Sequence, residues 1–387
     1  MNPSPSLRVL HVHSGNLYGG VEVFFNTMMR TRAAAPEIEH HFALCFDKKI
    51  AGELRTMGLP VHILAPVRVS RPWTVLKARR ALKSLLRNIK FDVVICHHAW
   101  AQGLFGGVVR GVPEVFWLYD PPCNAKLHWT DRLAARAVPQ LTICDSKFTE
   151  GYLPRLYGKN APAVTIYCAV EAPEFAYTPQ QLADARTELG VAADQTVLIQ
   201  IGRWERHKGH LEHLAGLARL KDRTDWRCWI VGGAQRPKEV ELKDEVTARA
   251  AELGIADRVQ ILGFVPDARK LLAAADIYCQ PNGAPEPFGL TFIEAMYAGK
   301  PVVTAAHGGP LETVDPSCGR LVPPGDADAL AATLATLLDQ PELRRSLGAA
   351  GPARAHALCD ATYMHRRIYE TLLMVRNNFT AGAGAHS

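Results

Sequence analysis

Short runs rich in valine, isoleucine and leucine recur along the chain, each apolar at almost every position. In the first half they fall at Leu7–His13, His41–Phe46, Val61–Leu64, Asp92–His97, Val115–Tyr119, Leu141–Cys144 and Val164–Tyr167. In the second they fall at Val197–Ile201, Cys228–Val231, Val259–Leu262, Ile277–Gln280, Pro301–Thr304 and Arg320–Val322. A run that is apolar at odd and even positions alike predicts a strand covered on both faces, as in a parallel sheet. Longer stretches at helical spacing separate several of them, Trp73–Ile89 being one example. Strand–helix alternation of this kind predicts right-handed βαβ units. Its occurrence in both halves predicts an α/β protein with two doubly wound domains side by side.

The punctuation sets the expected boundaries. Residues 1–170 make the first domain, and the segment 171–195, proline-rich and polar at its start, reads as a linker. Residues 196–355 make the second domain. A helical pattern after Pro352 predicts a C-terminal helix over 356–378, and the Gly/Ala-rich residues 379–387 read as a disordered tail. A chain of 387 residues suits two domains, and 48% hydrophobic with 21% charged residues excludes collagen, coiled coil and wholesale disorder. The start carries no basic segment leading into an apolar one. The longest uncharged stretch, Val93–Val109, is interrupted by His97, His98 and three glycines, so no membrane span is expected. Nine scattered cysteines without a C-x-x-C pair suggest reduced thiols in a cytoplasmic protein.

Charge changes the picture once it is divided. The net +6 combines residues 1–170, with 21 Lys/Arg against 11 Asp/Glu, and residues 171–387, with 23 against 27. Arg68, Arg71, Lys77, Arg79, Arg80, Lys83, Arg87 and Lys90 follow one another with no acid between them. Within Trp73–Ile89 an apolar stripe accompanies these cations, which predicts a basic amphipathic helix packed on the first sheet. Such a helix suits a peripheral contact with anionic lipid; a solvated helix face is the alternative. No nucleic-acid-binding motif accompanies it.

In open α/β sheets ligands bind beyond the carboxyl ends of strands, so the loops there carry the candidate chemistry. The first is Gly15-Asn-Leu-Tyr-Gly19-Gly20-Val-Glu22, after strand one and opening a helix; its N–H groups suit a phosphate, and a tight turn without ligand is the alternative. The second is Gly202-Arg203-Trp-Glu-Arg-His-Lys208-Gly209, where Arg203 and Lys208 offer two cations to a diphosphate, or form a charged solvated loop. The third is Glu286-Pro-Phe288-Gly289-Leu290-Thr291-Phe-Ile-Glu294, with a helix beginning near Phe288. Glu286 can accept from sugar hydroxyls, Glu294 can grip a ribose diol, and the first N–H groups suit a phosphate. Asp326-Ala-Asp328 reads as a helix cap rather than a cation site. His207, His210 and His213 drift around a helix and lack a completing ligand, so no metal site is expected.

Taken together, the Gly19-Gly20 turn, the G-R-x-x-x-x-K-G loop, the E-x7-E segment, His307-Gly-Gly-Pro and Gly319-Arg-Leu-Val-Pro-Pro-Gly-Asp326 resemble the retaining glycosyltransferases of family 4. The resemblance covers nearly the whole chain. It implies a GT-B fold, two Rossmann-like domains facing across a cleft with a C-terminal helix crossing back to the first. It implies a nucleotide-diphosphate sugar as donor, no cofactor and no metal, and a glycan or lipid-linked acceptor. Arg203 and Lys208 would neutralise the diphosphate, Glu286 would face the sugar and Glu294 the ribose. Phe288, Gly289, Leu290 and Thr291 would line sugar and phosphates, while Gly19 and Gly20 would close over the donor. Catalysis would rest on Glu286, Arg203 and Lys208. Two positions depart from the family pattern: Tyr119 stands where many members carry a histidine, and Cys168-Ala169-Val170 replaces N-G-V. His98, Tyr119 and Asp120 are therefore candidate sugar or acceptor contacts, with a purely structural His98 as the alternative. The departures also motivate a second reading, a GT-B-like protein that binds nucleotide sugars or glycans without turnover. A nicotinamide-dependent oxidoreductase is disfavoured by the missing G-x-G-x-x-G.

Overall fold

The computed structural model describes residues 6–173 and 176–384. It divides into two compact units, Met1–Val170 with Cys359–Ser387, and Glu171–Leu358. The first holds seven parallel strands: β1 Leu7–His13, β2 Ile38–Leu44, β3 Val61–Ile63, β4 Val93–His97, β5 Glu114–Leu118, β6 Leu141–Cys144 and β7 Ala163–Thr165. Their order is β3-β2-β1-β4-β5-β6-β7, so the winding reverses between β1 and β4. Val9 sits between His40 and Val93 in that register. The second unit has β8 Thr196–Ile201, β9 Trp226–Val231, β10 Val259–Gly263, β11 Ile277–Gln280, β12 Val302–Ala305 and β13 Gly319–Val322. Its order, β10-β9-β8-β11-β12-β13, reverses between β8 and β11. Both reversals open a crevice at the carboxyl ends of the central strands, the place where such sheets hold ligands.

Helices cover both sheets with apolar stripes. In the first unit the helix Pro72–Asn88 starts on a proline, whose fixed φ suits the first turn. It buries Ala78 and Leu82 against Leu10, Val12, Val94 and Phe105. Leu76 does not join that stripe: it is 50% exposed and Trp73 is 64% exposed, both on the side that carries the cations. In the second unit Leu214 and Leu217 meet Leu330 and Leu334 over Leu198, Cys228 and Ile230. Each such fully buried leucine contributes roughly 1.5–3 kcal/mol relative to an exposed one. All nine cysteines are free thiols, and every one except Cys123 is buried.

Three boundaries differ from those read along the chain. Within 171–195 lies a helix, Pro179–Glu188, in place of a simple linker. Thr178 and Gln181 cap it reciprocally, and Arg186 donates to Ala274 O and Asp276, which ties it to the second unit. The helix Pro341–Cys359 carries Pro352 inside it, and a separate helix runs over Ala361–Gly384. Asp360 restarts the chain by accepting from Tyr363 N at 2.7 Å. The expected tail from residue 379 is therefore helical to Gly384, since alternating alanine sustains a helix despite the glycines; residues 385–387 lie outside the described residues. The last helix belongs to the first unit, where His365 Nε2 meets Thr31 Oγ1 at 3.0 Å. No described helix is long and apolar enough to cross a membrane.

Candidate active site

In the second unit glycines let three loops touch. After β8 the chain passes Arg203, forms a short 3-10 turn at Arg206–Lys208, and reaches Gly209 at φ 74°. A Cβ on Gly209 would lie 1.9 Å from Pro281 O, so no other residue allows this approach to the loop after β11. Gly308 and Gly309 also pack on the backbone of Glu286 and Pro287, where a Cβ would lie 2.4 and 2.3 Å from their carbonyl oxygens, and Gly309 N donates to Glu286 O at 2.8 Å. The H-G-G sequence is thus a backbone clamp on the Glu286 loop.

That clamp brings polar side chains together. Lys208 Nζ donates to Glu286 Oε2 at 2.6 Å. Asn282 Nδ2 donates to the same oxygen at 2.8 Å, and His307 Nε2 donates to Asn282 O at 2.9 Å. Behind them Gln280 donates to Asn282 Oδ1, Gln200 donates to Lys208 O, and His213 meets Gln200 Oε1. Burial alone would push the Glu286 carboxyl up; Lys208, His207 and Asn282 outweigh it and hold the carboxyl below its ordinary value. Lys208 is therefore not an isolated cation but one half of a buried pair. Arg203 is also engaged, 2.8 Å from Glu205 and 3.9 Å from Glu239.

The helix expected near Phe288 begins at Leu290. Gly289 has φ 93°, outside helical geometry, and Phe288 is buried at the turn. The helix Leu290–Tyr297 still points its first N–H groups beyond the strand ends, since its first internal bond is Phe292 N to Gly289 O. Glu294 lies one turn further, half-buried, and burial pushes its carboxyl up against the lowering effect of Arg269. No described residue hydrogen-bonds its carboxylate. Asn282, the hub of the cluster, escapes a sequence reading. The available signal is Gln200 and Gln280, single polar residues inside otherwise apolar strands.

In the first unit the glycine turn also has an internal lock. Gly19 N donates to Glu22 Oε2 at 2.8 Å, and His13 Nε2 meets Glu22 Oε1 at 2.8 Å. Gly20 opens the helix Gly20–Arg30 that carries Glu22. Burial would raise the Glu22 carboxyl, but His13 and the Gly19 N–H hold it low. His98, Tyr119 and Asp120 come together at the ends of β4 and β5. His98 has φ 66°, a conformation that costs a non-glycine residue about 1–2 kcal/mol. Its Nδ1 lies 3.1 Å from Asp120 Oδ2 and its ring is 5.1 Å from that of Tyr119. Strain of this kind persists where the surroundings over-determine the backbone, and such positions cluster at ligand sites. Tyr119 is buried, with its hydroxyl 2.8 Å from His97 Nδ1. Cys168 and Ala169, at the departed N-G-V segment, are buried, and Ala169 N faces Met364 Sδ at 3.3 Å.

Comparison with known proteins agrees with this arrangement. Residues 18–172 match the family described as Glycosyltransferase Family 4, and residues 183–354 match Glycosyl transferases group 1. A phosphatidyl-myo-inositol mannosyltransferase of Mycobacterium leprae is 38% identical over 358 residues, covering 84% of this chain and 91% of that protein. A D-inositol 3-phosphate glycosyltransferase of Segniliparus rotundus is 36% identical over 290 residues, 67% of this chain and 63% of that protein. A phosphatidyl-myo-inositol mannosyltransferase of Mycolicibacterium smegmatis is matched over 53% of its length. Among solved structures, Anabaena HepE in complex with UDP and glucose superposes with a TM-score of 0.84 at 23% identity, covering 95% of this chain and 99% of that one. Sucrose-phosphate synthase from Thermosynechococcus elongatus gives 0.79 at 22% identity, covering 97% and 100%. These two likenesses speak for the fold. With both family patterns matched in chain order and a relative 38% identical across 84% of its length, the chain belongs to glycosyltransferase family 4, with the GT-B fold.

Proposed function

We propose that this protein is a retaining glycosyltransferase, moving a sugar from a nucleotide-diphosphate donor to an acceptor hydroxyl in the assembly of a lipid-linked glycan, a lipopolysaccharide or a cell-surface polysaccharide. The observation that carries the reading is the Lys208–Glu286–Asn282 cluster beside the open first turn of Leu290–Tyr297. It combines a cation, oriented backbone donors and a carboxylate in one small volume, which suits a sugar diphosphate. Relatives named phosphatidyl-myo-inositol mannosyltransferase and lipopolysaccharide core biosynthesis glycosyltransferase support the acceptor class.

In this reading the bond from the anomeric carbon to the diphosphate oxygen breaks and its electron pair stays on that oxygen. Lys208 exchanges Glu286 for the diphosphate, and Arg203 turns from Glu205 toward it. With the N–H groups of Leu290 and Thr291 they stabilise the growing negative charge. The acceptor oxygen forms the new bond on the face the leaving group vacates, and its proton passes to the departing phosphate oxygen. No enzyme nucleophile takes part. Glu286, released from Lys208, accepts from hydroxyls of the sugar, and Glu294 accepts from the ribose. His98, Tyr119 and Asp120 meet hydroxyl groups of the substrate. The fixed cations supply the charge neutralisation, so the reaction is proposed to need no metal.

A peripheral contact with anionic lipid at the cytoplasmic membrane face completes the proposal. Exposed Trp73 and Leu76 lie among the cations of the helix Pro72–Asn88, which gives an apolar wedge inside a basic surface. A panel of UDP- and GDP-sugars tests the enzymatic reading. One donor should release its nucleoside diphosphate slowly, with or without EDTA, and Glu286→Ala and Arg203→Ala should abolish release. Neither binding nor release across the panel would overturn it.

A further inference from the structure

Three histidines on neighbouring strands and a tyrosine just beyond the next strand form one hydrogen-bonded row inside the first unit. His40 lies on β2, His11 on β1, His97 on β4, and Tyr119 directly after β5. His40 Nδ1 meets His11 Nε2 at 2.9 Å, His11 Nδ1 meets His97 Nε2 at 2.9 Å, and His97 Nδ1 meets the Tyr119 hydroxyl at 2.8 Å. None of the four is more than 4% exposed. Burial lowers the pKa of all three imidazoles, that of His11 to about 3, so each is neutral at ordinary pH.

Four neutral groups then carry four N–H or O–H protons, but the row has three links. One donor proton is always left over, at one end or the other. A buried donor without an acceptor costs more than a bare lone pair. At the His40 end, Nε2 is buried with no partner. The chargeable groups acting on His40 are His11, His365, Arg32 and His41, with no anion among them. A proton there would be orphaned, with the positive charge of Arg32 acting against it. The spare proton therefore belongs at the other end. His40, His11 and His97 each carry their hydrogen on Nδ1, the Tyr119 oxygen accepts from His97, and the Tyr119 O–H points onward. Among the described residues His97 is the sole hydrogen-bond partner of that hydroxyl. The row is complete when an oxygen acceptor from outside the chain sits at Tyr119. A half-satisfied polar network in a sheet core is costly, which argues that its remaining member is a ligand.

We propose that His40, His11 and His97 are positioning residues that commit Tyr119 to donate a hydrogen bond to a substrate oxygen, on either the sugar or the diphosphate. The identity of that substrate rests on the glycosyl-transfer reading above; the direction of the row does not.

Nitrogen-15 spectra of histidine-labelled protein decide the direction. All three histidines should show the Nδ1–H tautomer, the less common one in water; Nε2–H signals would mean that the row runs the other way and would overturn the proposal. The kinetic arm uses Tyr119→Phe and His97→Leu. Each should raise KM for the nucleotide sugar about threefold to tenfold with kcat little changed, the effect of losing one neutral hydrogen bond in binding. His97→Asn, whose amide nitrogen falls near the position of Nδ1, should recover most of that loss. A folded His97→Leu protein with unchanged KM would overturn the positioning role. Binding of the nucleoside diphosphate alone separates the two oxygen sources. Tyr119→Phe should weaken it if a phosphate oxygen is the acceptor, and weaken only the intact nucleotide sugar if a sugar oxygen is. Unchanged binding of both ligands would refute donation by Tyr119. If no nucleotide sugar binds at all, the glycosyl-transfer reading fails while the tautomer signals still decide the row.

Discussion

Replacing Glu114 with glutamine should stabilise the protein increasingly as the pH rises. Glu114 opens β5 and is 6% exposed. Burial pushes its carboxyl up to about 7, and the Gln102 amide, 2.6 Å away, only partly offsets that. The unfolded chain releases this proton near 4.5, so the folded state holds it longer. A carboxyl raised in this way costs nothing below the unfolded value. It then drains stability as the pH climbs from 4.5 toward 7, and the loss levels off above that. Each tenfold gain in proton affinity on folding corresponds to about 1.4 kcal/mol, so the full cost is about 3 kcal/mol. Between pH 5.5 and 8.5 about 2 kcal/mol of it accrues. Glutamine does not ionise and escapes the loss. Its extra N–H group adds a cost of its own, independent of pH, so the informative quantity is the slope. Urea unfolding followed by far-ultraviolet circular dichroism, on both proteins at both pH values, measures it. The buried histidines titrate in both proteins and cancel from the difference. A gap between variant and wild type that stays constant, or widens toward acid, would refute the reasoning.

Removing Lys208 alone, as Lys208→Met, should cost about 3–5 kcal/mol by leaving Glu286 charged and buried, and adding Glu286→Gln should recover most of it; additive losses in urea unfolding would contradict the pairing. Gly209→Ala and Gly254→Ala place alanine at φ 74° and 70°, but only the first drives a Cβ into Pro281 O, and nothing lies within 4 Å of the second. The second should cost about 1–2 kcal/mol and the first clearly more, with loss of diphosphate binding; equal shifts in Tm would remove the role given to the loop contact. Sedimentation with anionic vesicles should weaken with salt, and neutralising exposed Lys77, Arg80 and Lys83 should reduce it about a hundredfold at roughly 1 kcal/mol per cation. Unchanged sedimentation would clear this helix of membrane binding.

The strands were legible because a doubly covered strand is apolar on both faces, so its run survives without any knowledge of its neighbours. Each predicted run overlaps a strand of the structure. The helix Pro179–Glu188 was hidden by the prolines before it, although its Thr178–Gln181 cap is written in the sequence. The loops bearing Arg203, Lys208, Glu286 and Glu294 could be placed from their glycines and strand ends. What those residues touch could not. That Lys208 meets Glu286 depends on Gly209 closing on Pro281, a contact between segments more than seventy residues apart. Asn282, His13 with Glu22, and the histidine row likewise arise from strand register, which no local pattern encodes.

The last helix, Ala361–Gly384, supplies Met364, Ile368, Leu372 and Val375 to the core of the first unit. The gene therefore interrupts one domain with another. During synthesis residues 171–358 are all available before the segment that completes the first unit has left the ribosome. The opening 170 residues therefore leave the ribosome with the apolar face under the last helix uncovered until residues 361–384 follow. A stop codon near residue 360 would make that state permanent.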